Sequence, residues 1–206
     1  TQRIRRFTYD GHSDDVVDLT RVSINPASMD LSVQFPDGLS AVMPVIDRLQ
    51  LFLPGYIVVT DVRGNGNGTL SHSGPVITLT GVNTSHDLSL TVTTDELDFS
   101  AGNMENGELS IENGDITLTG DIDMSLDATL DITGVPSQTR FEINNTFSLD
   151  TFRPVSASGR FNPSINLNSL GNIEITGIPE FLTDGDVRAD LDNPRIMVSI
   201  DNTMNA

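Results

Sequence analysis

The sequence predicts an all-β fold, an antiparallel, sandwich-like architecture of long amphipathic strands with room for one short helix. Three observations carry the prediction. Between Asp115 and Ile132 the even positions are apolar (Ile116, Leu118, Ile122, Met124, Leu126, Leu130 and Ile132, diluted only by Gly120 and Ala128), while the odd ones are Asp, Thr or Ser. A two-residue period sustained over this length sets one face of an extended strand in a dry interior and the other in water. That is the signature of a half-exposed antiparallel sheet rather than a buried parallel one. Asn113-Gly114 stands between two such runs, Leu109/Ile111 and Ile116/Leu118, and supplies the two positive-φ residues of a type I′ hairpin. The charged residues also lean away from helix formers: all eleven basic residues are Arg, and 22 of the 29 acids are Asp. Asp favours turns and caps, whereas Glu and Lys support helix surfaces.

From the N-terminus, Arg3, Arg5 and Arg6 form the one basic cluster and read as charge on a first strand or a frayed end. Met29–Phe35 alternates and stops at the turn Pro36-Asp37-Gly38. The next stretch breaks the pattern, because Leu39, Val42, Met43, Ile46 and Leu49 follow helical spacing. Pro44 lies among them and would cost about 3 kcal/mol in a helix interior. Either a helix within residues 38–50 starts at Pro44, or two strands meet there. Tyr56–Val62 is an apolar strand leading into the flexible loop Gly64-Asn65-Gly66-Asn67-Gly68. Val76–Thr80 and Leu88–Val92 alternate again, and Asn106-Gly107 offers a second hairpin turn. The run through Gly120 far exceeds the usual strand of about 5–6 residues, so Gly120 is expected to mark a bulge or bend.

Ile132-Thr133-Gly134-Val135-Pro136 recurs as Ile175-Thr176-Gly177-Ile178-Pro179. The irregular spacing excludes a solenoid, and the motif reads as a strand end. Val187–Leu191 and Ile196–Ile200 alternate near the C-terminus. Pro154 and the run Ser156-Ala157-Ser158-Gly159 suggest a break. Residues 1–150 are therefore expected to form an antiparallel β-domain, and 151–206 to continue the same sandwich or begin a second module.

The formal charge of −18 repels phosphate backbones and anionic headgroups, since counterion release requires a basic patch. This argues against nucleic acid as a partner. The absence of Cys excludes disulfides and thiolate metal sites. No apolar run approaches the roughly 20 residues of a transmembrane helix, and no signal peptide is visible. The chain begins at Thr1, as expected for a mature or trimmed form whose lipid anchor would lie upstream.

Catalytic and metal readings fare poorly. Asp121, Asp123, Ser125 and Asp127 imitate the opening of an EF-hand loop, but Leu126 and Ile132 occupy the positions that need Gly and Glu. Asp184, Asp186, Asp190 and Asp192, with Arg188 among them, behave similarly, and a solvated sheet face explains both sets. His12, His72 and His86 lack the short spacing of a zinc pair. No nucleophile elbow, dinucleotide loop or P-loop is present. Paired acids for glycoside hydrolysis would lack aromatic platforms, because there is no Trp and Phe7, Phe35, Phe99, Phe141 and Phe147 fall mostly at apolar strand positions. The triplets beginning at Asn67, Asn83 and Asn144 match the glycosylation pattern, as chance allows in an Asn- and Thr-rich chain. No catalytic, cofactor-binding or metal-binding residue is assigned, and the chain is read as non-enzymatic.

Ile-Pro-Glu-Phe-Leu at 178–182, followed by Asp-Leu-Asp-Asn-Pro-Arg-Ile-Met-Val-Ser-Ile-Asp-Asn at 190–202, resembles a pattern in uncharacterised surface lipoproteins of Bacteroidetes-type bacteria. In those β-sandwich modules an Asn-Pro strand start leads to an alternating strand ending in Asn. The resemblance implies an exported, lipid-anchored protein of the cell envelope, at the cell surface or in the periplasm, and brings no catalytic residues. The expected function is an extracytoplasmic structural or adhesion module contacting an unknown macromolecule. The alternative is a lipid- or hydrophobe-binding protein with a curved-sheet groove. The charge balance makes one direct prediction. At physiological salt, fluorescence anisotropy with labelled DNA or RNA should show no micromolar, salt-sensitive binding; such binding would refute the electrostatic reading.

Overall fold

A computed structural model describes residues 1–100, 102–131, 133 and 140–162. The chain divides after Pro163. Residues 164–206 lie outside the described residues, and with them the runs Val187–Leu191 and Ile196–Ile200, the acids Asp184 to Asp192 and the lipoprotein-like segment.

Alternating sequence becomes paired strand throughout the described part. In chain order the strands are β1 (Gln2–His12), β2 (Val16–Gln34), β3 (Val45–Phe52), β4 (Ile57–Gly64), β5 (Thr69–Ser73) and β6 (Val76–Asn83). They continue with β7 (Leu88–Asp98), β8 (Gly107–Glu112), β9 (Asp115–Ala128), β10 (Asn144–Leu149) and β11 (Pro154–Phe161). They build two antiparallel sheets packed face to face. The first has the order β1-β9-β3-β6-β5, with β8 also on β9, and the second β10-β2-β7-β4, with β11 also on β2. The sandwich-like, all-β class is thus the observed one.

Two long strands organise the sheets. β9 gives one edge to β1 and divides the other, with Asp115 to Gly120 facing β8 and Asp123 to Ala128 facing β3. β2 does the same for β7 on one side and for β10 and β11 on the other. Because β11 pairs with β2, residues 154–161 belong to the sandwich. Pro26 interrupts β2 without ending it: pairing with β7 skips from Ser23 to Ala27, the irregularity at which a strand tolerates a residue without an N–H donor.

The alternate apolar residues meet in one core. Met29, Leu31 and Val33 of β2 and Leu88, Leu90 and Val92 of β7 lie across from Ile46, Leu49 and Leu51 of β3, Ile77 and Leu79 of β6 and Ile122 of β9. Burying each such side chain contributes about 1.5–3 kcal/mol, opposed by the conformational entropy of the ordered chain.

The helix considered within residues 38–50 is a single 3-10 turn, Leu39–Ala41. Pro44 has no N–H to extend it, and β3 starts directly after Pro44. The helical spacing has another cause. The register of β3 on β9 shifts between Ile46 and Arg48, so against β9 an extra residue, Asp47, lets Ile46 and Leu49, three positions apart, both be buried.

Asn113 and Gly114 both take positive φ, 54° and 86°, at the tip of the β8–β9 hairpin, as the dipeptide predicts. Asn106 is left-handed as well, yet Gly107 already opens β8, so that pair does not form a two-residue hairpin. Gly120 differs from expectation too. It stands in unbroken register, opposite Phe7 on one side and Gly107 on the other. Its role is to leave space: a Cβ there would lie 2.5 Å from both Phe7 Cζ and Tyr56 Oη, and a Cβ on Gly107 would collide with Tyr56 Cε1. The fully buried Tyr56 ring fills the gap, and its hydroxyl donates to the Thr119 carbonyl at 3.0 Å. Gly120→Ala should therefore destabilise the fold by about 1–3 kcal/mol through overpacking. Urea denaturation followed by circular dichroism checks this, and an unchanged midpoint would show that the gap is not tight.

Candidate functional site

The odd residues of β9 face water and meet the polar faces of β1 and β3. Of the acids that alternate along β9, Asp121, Asp127 and Asp115 each meet a different cation. Arg3 Nη2 lies 2.8 Å from Asp121, Arg48 Nη2 lies 2.6 Å from Asp127, and His12 Nδ1 lies 2.9 Å from Asp115. Antiparallel pairing sets His12 opposite Asp115 and Arg48 opposite Asp127, whereas Arg3, opposite Asp123, reaches Asp121 diagonally, so opposite charges meet across the strands. Asp131 accepts the Thr133 N–H, which holds its carboxyl below the usual carboxylate range. Among the described residues no three His, Cys, Asp or Glu gather to hold a metal ion.

The histidines are dispersed over the surface. His12 ends β1, His72 lies in β5, and His86 lies in the turn before β7. His12 also approaches Asp14 at 3.2 Å through Nε2. Its pKa is raised from 6.5, chiefly by the hydrogen bond to Asp115 and further by the negative charges of Asp14 and Asp115. His12 and Asp115 lie far apart in sequence, and the β1–β9 register joins them.

The Asn triplets serve different local roles. Asn67 braces two loops: its Nδ2 donates to the carbonyls of Asn83 and His86 at 2.9 and 2.8 Å, while its Oδ1 accepts the Asn83 N–H at 2.8 Å. Asn83 Oδ1 accepts the Ser85 N–H. Asn144 is exposed at the start of β10. Sequence reasoning missed the bracing, whose signal was an Asn between two loop glycines. The five phenylalanines named above all pack against the core. Phe7 stands edge-on to Phe152 at 6.3 Å, and Phe99 lies 5.3 Å from Tyr56.

A shallow cleft of about 230 Å³ is lined by Thr20, Arg21, Asp98, Ser100 and Ser158. Arg21 Nε lies 3.3 Å from Glu96. Asp98 accepts the Ser100 N–H at 3.0 Å and the Asn103 amide at 3.1 Å. These bonds favour its carboxylate, the Ser100 N–H most, and hold its pKa below the ordinary value. A carboxylate satisfied in this way is a loop anchor rather than a general base near neutral pH. Among the described residues no helix is long and apolar enough to cross a membrane. No family model, curated protein or solved structure matches the chain.

Two predictions follow from these contacts. In a nuclear magnetic resonance titration the His12 imidazole should show a midpoint above 6.5, and Asp115→Asn should lower it. A pKa raised in the folded state means that the contact stabilises below about pH 6.5 and that this is lost as pH rises through the folded midpoint; a midpoint indifferent to Asp115 would contradict the assignment. For the acids of β9, sodium chloride should raise the melting temperature gradually by screening repulsion. Ca²⁺ at matched ionic strength should add no saturable increment of the kind that binding to the folded state produces.

Proposed function

We propose that this chain is a non-enzymatic structural or adhesion module of the cell envelope that meets a macromolecular partner through the outer faces of its sheets. The observation that carries the reading is the division between a filled interior and polar exteriors. The space between the sheets is occupied by one continuous cluster of apolar side chains. On the outside of the second sheet, Ser28, Asp30 and Ser32 of β2 stand opposite Thr93, Thr91 and Ser89 of β7. Thr146 and Ser148 of β10 extend the same face. Short hydroxyl and carboxylate side chains on a paired backbone offer hydrogen bonds at little cost in rotamer entropy.

The envelope location and the lipid anchor rest on the resemblance of residues 178–182 and 190–202 to surface lipoproteins. The alternative, a hydrophobe held in a curved-sheet groove, draws no support from the inner faces, because side chains already fill them. Fluorescently labelled protein, incubated with purified bacterial outer-membrane and surface-polysaccharide fractions, tests the reading. Saturable binding that falls when Thr91 and Thr93 are both replaced by Lys is the expected result. Stoichiometric lipid in an organic extract of the purified protein, without such binding, would overturn it.

A further inference from the structure

Among the described residues, the edge of β1 that faces away from β9 has no strand partner. It is also the longest regular edge among them. Beyond the bulge between Arg3 and Arg5, its register on β9 runs unbroken from Arg5 to His12. The other edges are shorter or irregular: β5 spans Thr69–Ser73, β10 spans Asn144–Leu149, and β4 and β11 carry register shifts. A straight strand with open N–H and C=O groups is a template for another strand.

The charges on this edge are segregated along its length. Arg3, Arg5 and Arg6 occupy one end, and Asp10, followed by Asp14 in the turn, the other. An antiparallel strand of the same sequence reverses that order and sets basic end against acidic end. Arg6 pairs only loosely within its own chain. Arg3 holds Asp121 at 2.8 Å, while Arg6 Nε stays 3.8 Å from it, beyond hydrogen-bond range, with the side chain 54% exposed.

We propose that two copies of this chain pair antiparallel through β1 about a two-fold axis at Thr8, joining their first sheets into one. Thr8 then faces the partner's Thr8, and Arg6 faces the partner's Asp10, twice by symmetry. Phe7 faces the partner's Tyr9. The register keeps wet residues with wet ones, because Arg6, Thr8 and Asp10 lie opposite Asp121, Thr119 and Thr117, whereas Phe7 and Tyr9 lie opposite Gly120 and Leu118. A slip of one residue would turn one sheet over. Axes at Phe7 or Tyr9 keep the faces but lose the Arg6–Asp10 pairs. The pairing also covers Tyr9, which is 59% exposed on its own chain and whose ring lies along the strand over Gly11. Its independence from the adhesive role follows from its location, a sheet edge rather than a face.

A strand-to-strand contact buries less than the roughly 1,200 Å² of standard interfaces, so the dimer should dissociate in the micromolar range. Sedimentation equilibrium should show reversible dimers. Asp10→Arg and Arg6→Asp should each raise the dissociation constant at least about tenfold by creating two like-charge contacts. An equimolar mixture of the two variants should recover the wild-type affinity as a heterodimer, since every opposed pair is again Arg with Asp. In this Cys-free chain, Thr8→Cys should form a disulfide-linked dimer under mild oxidation, because opposed antiparallel Cα atoms, about 4.5–5.5 Å apart, fall within disulfide range. Ser71→Cys, exposed on β5, serves as the control at another edge and should not. A monomer at roughly 500 µM, well above the expected range, would overturn the pairing. So would cross-linking of Thr8→Cys no faster than of Ser71→Cys, or failure of the two charge variants to associate although each is folded by circular dichroism.

Discussion

The interaction on which the sandwich depends is the seating of Tyr56 between its two sheets. Tyr56 directly precedes β4 of the second sheet, yet its ring lies against Gly107 and Gly120 of the first. Those glycines stand directly opposite each other on β8 and β9, so the apolar face opens at one point wide enough for an aromatic ring. The phenol is fully buried, and the Thr119 carbonyl accepts a hydrogen bond from its hydroxyl at 3.0 Å. A buried hydroxyl without an acceptor costs about 1–3 kcal/mol, so the ring can fill the gap only in an orientation that reaches this carbonyl. Backbone bonds fix the same point, with Gly55 N donating to Glu105 O and Asp98 N to Tyr56 O, each at 2.7 Å.

What was legible in the sequence is what a two-residue period encodes. The face of β9, the Asn113-Gly114 tip and the runs in β2, β6 and β7 are local patterns, and local pairing realises them. What was not legible depends on a partner distant in sequence. A glycine inside a strand either bends it or makes room for a neighbour, and only the arrival of Phe7 and Tyr56 shows that Gly120 makes room. The spacing of Ile46 and Leu49 imitates a helix because an extra residue shifts the register of β3. β1 shows little alternation, with only Ile4, Phe7 and Gly11 half-buried, since it sits at an edge and covers little of the core.

The surface was readable in its charge but not in its pairing. The sequence shows carboxylates at alternate positions on one strand; the fold shows that Arg3, Arg48 and His12 arrive from other strands to meet them. Exposed pairs of this kind contribute little to stability, so they shape the field of the sheet more than they hold it together. A strongly acidic molecule thereby spends three of its few cations on one face and keeps its Arg-rich strand at an open edge, where local charge rather than net charge decides what can approach.

The seating of Tyr56 is open to one direct measurement. Tyr9→Phe leaves Tyr56 as the sole tyrosine, and its ionisation can be followed by the ultraviolet absorbance of phenolate as pH rises. Burial, reinforced by the negative charge of Asp121, raises its pKa well above the ordinary value of 10.0. A phenol raised in the folded state stabilises the protein below the unfolded value and ceases to do so as the solution becomes more alkaline. The account predicts that phenolate appears only together with loss of the β-sheet circular dichroism signal. Phenolate appearing near pH 10 with the sheet signal intact would contradict it.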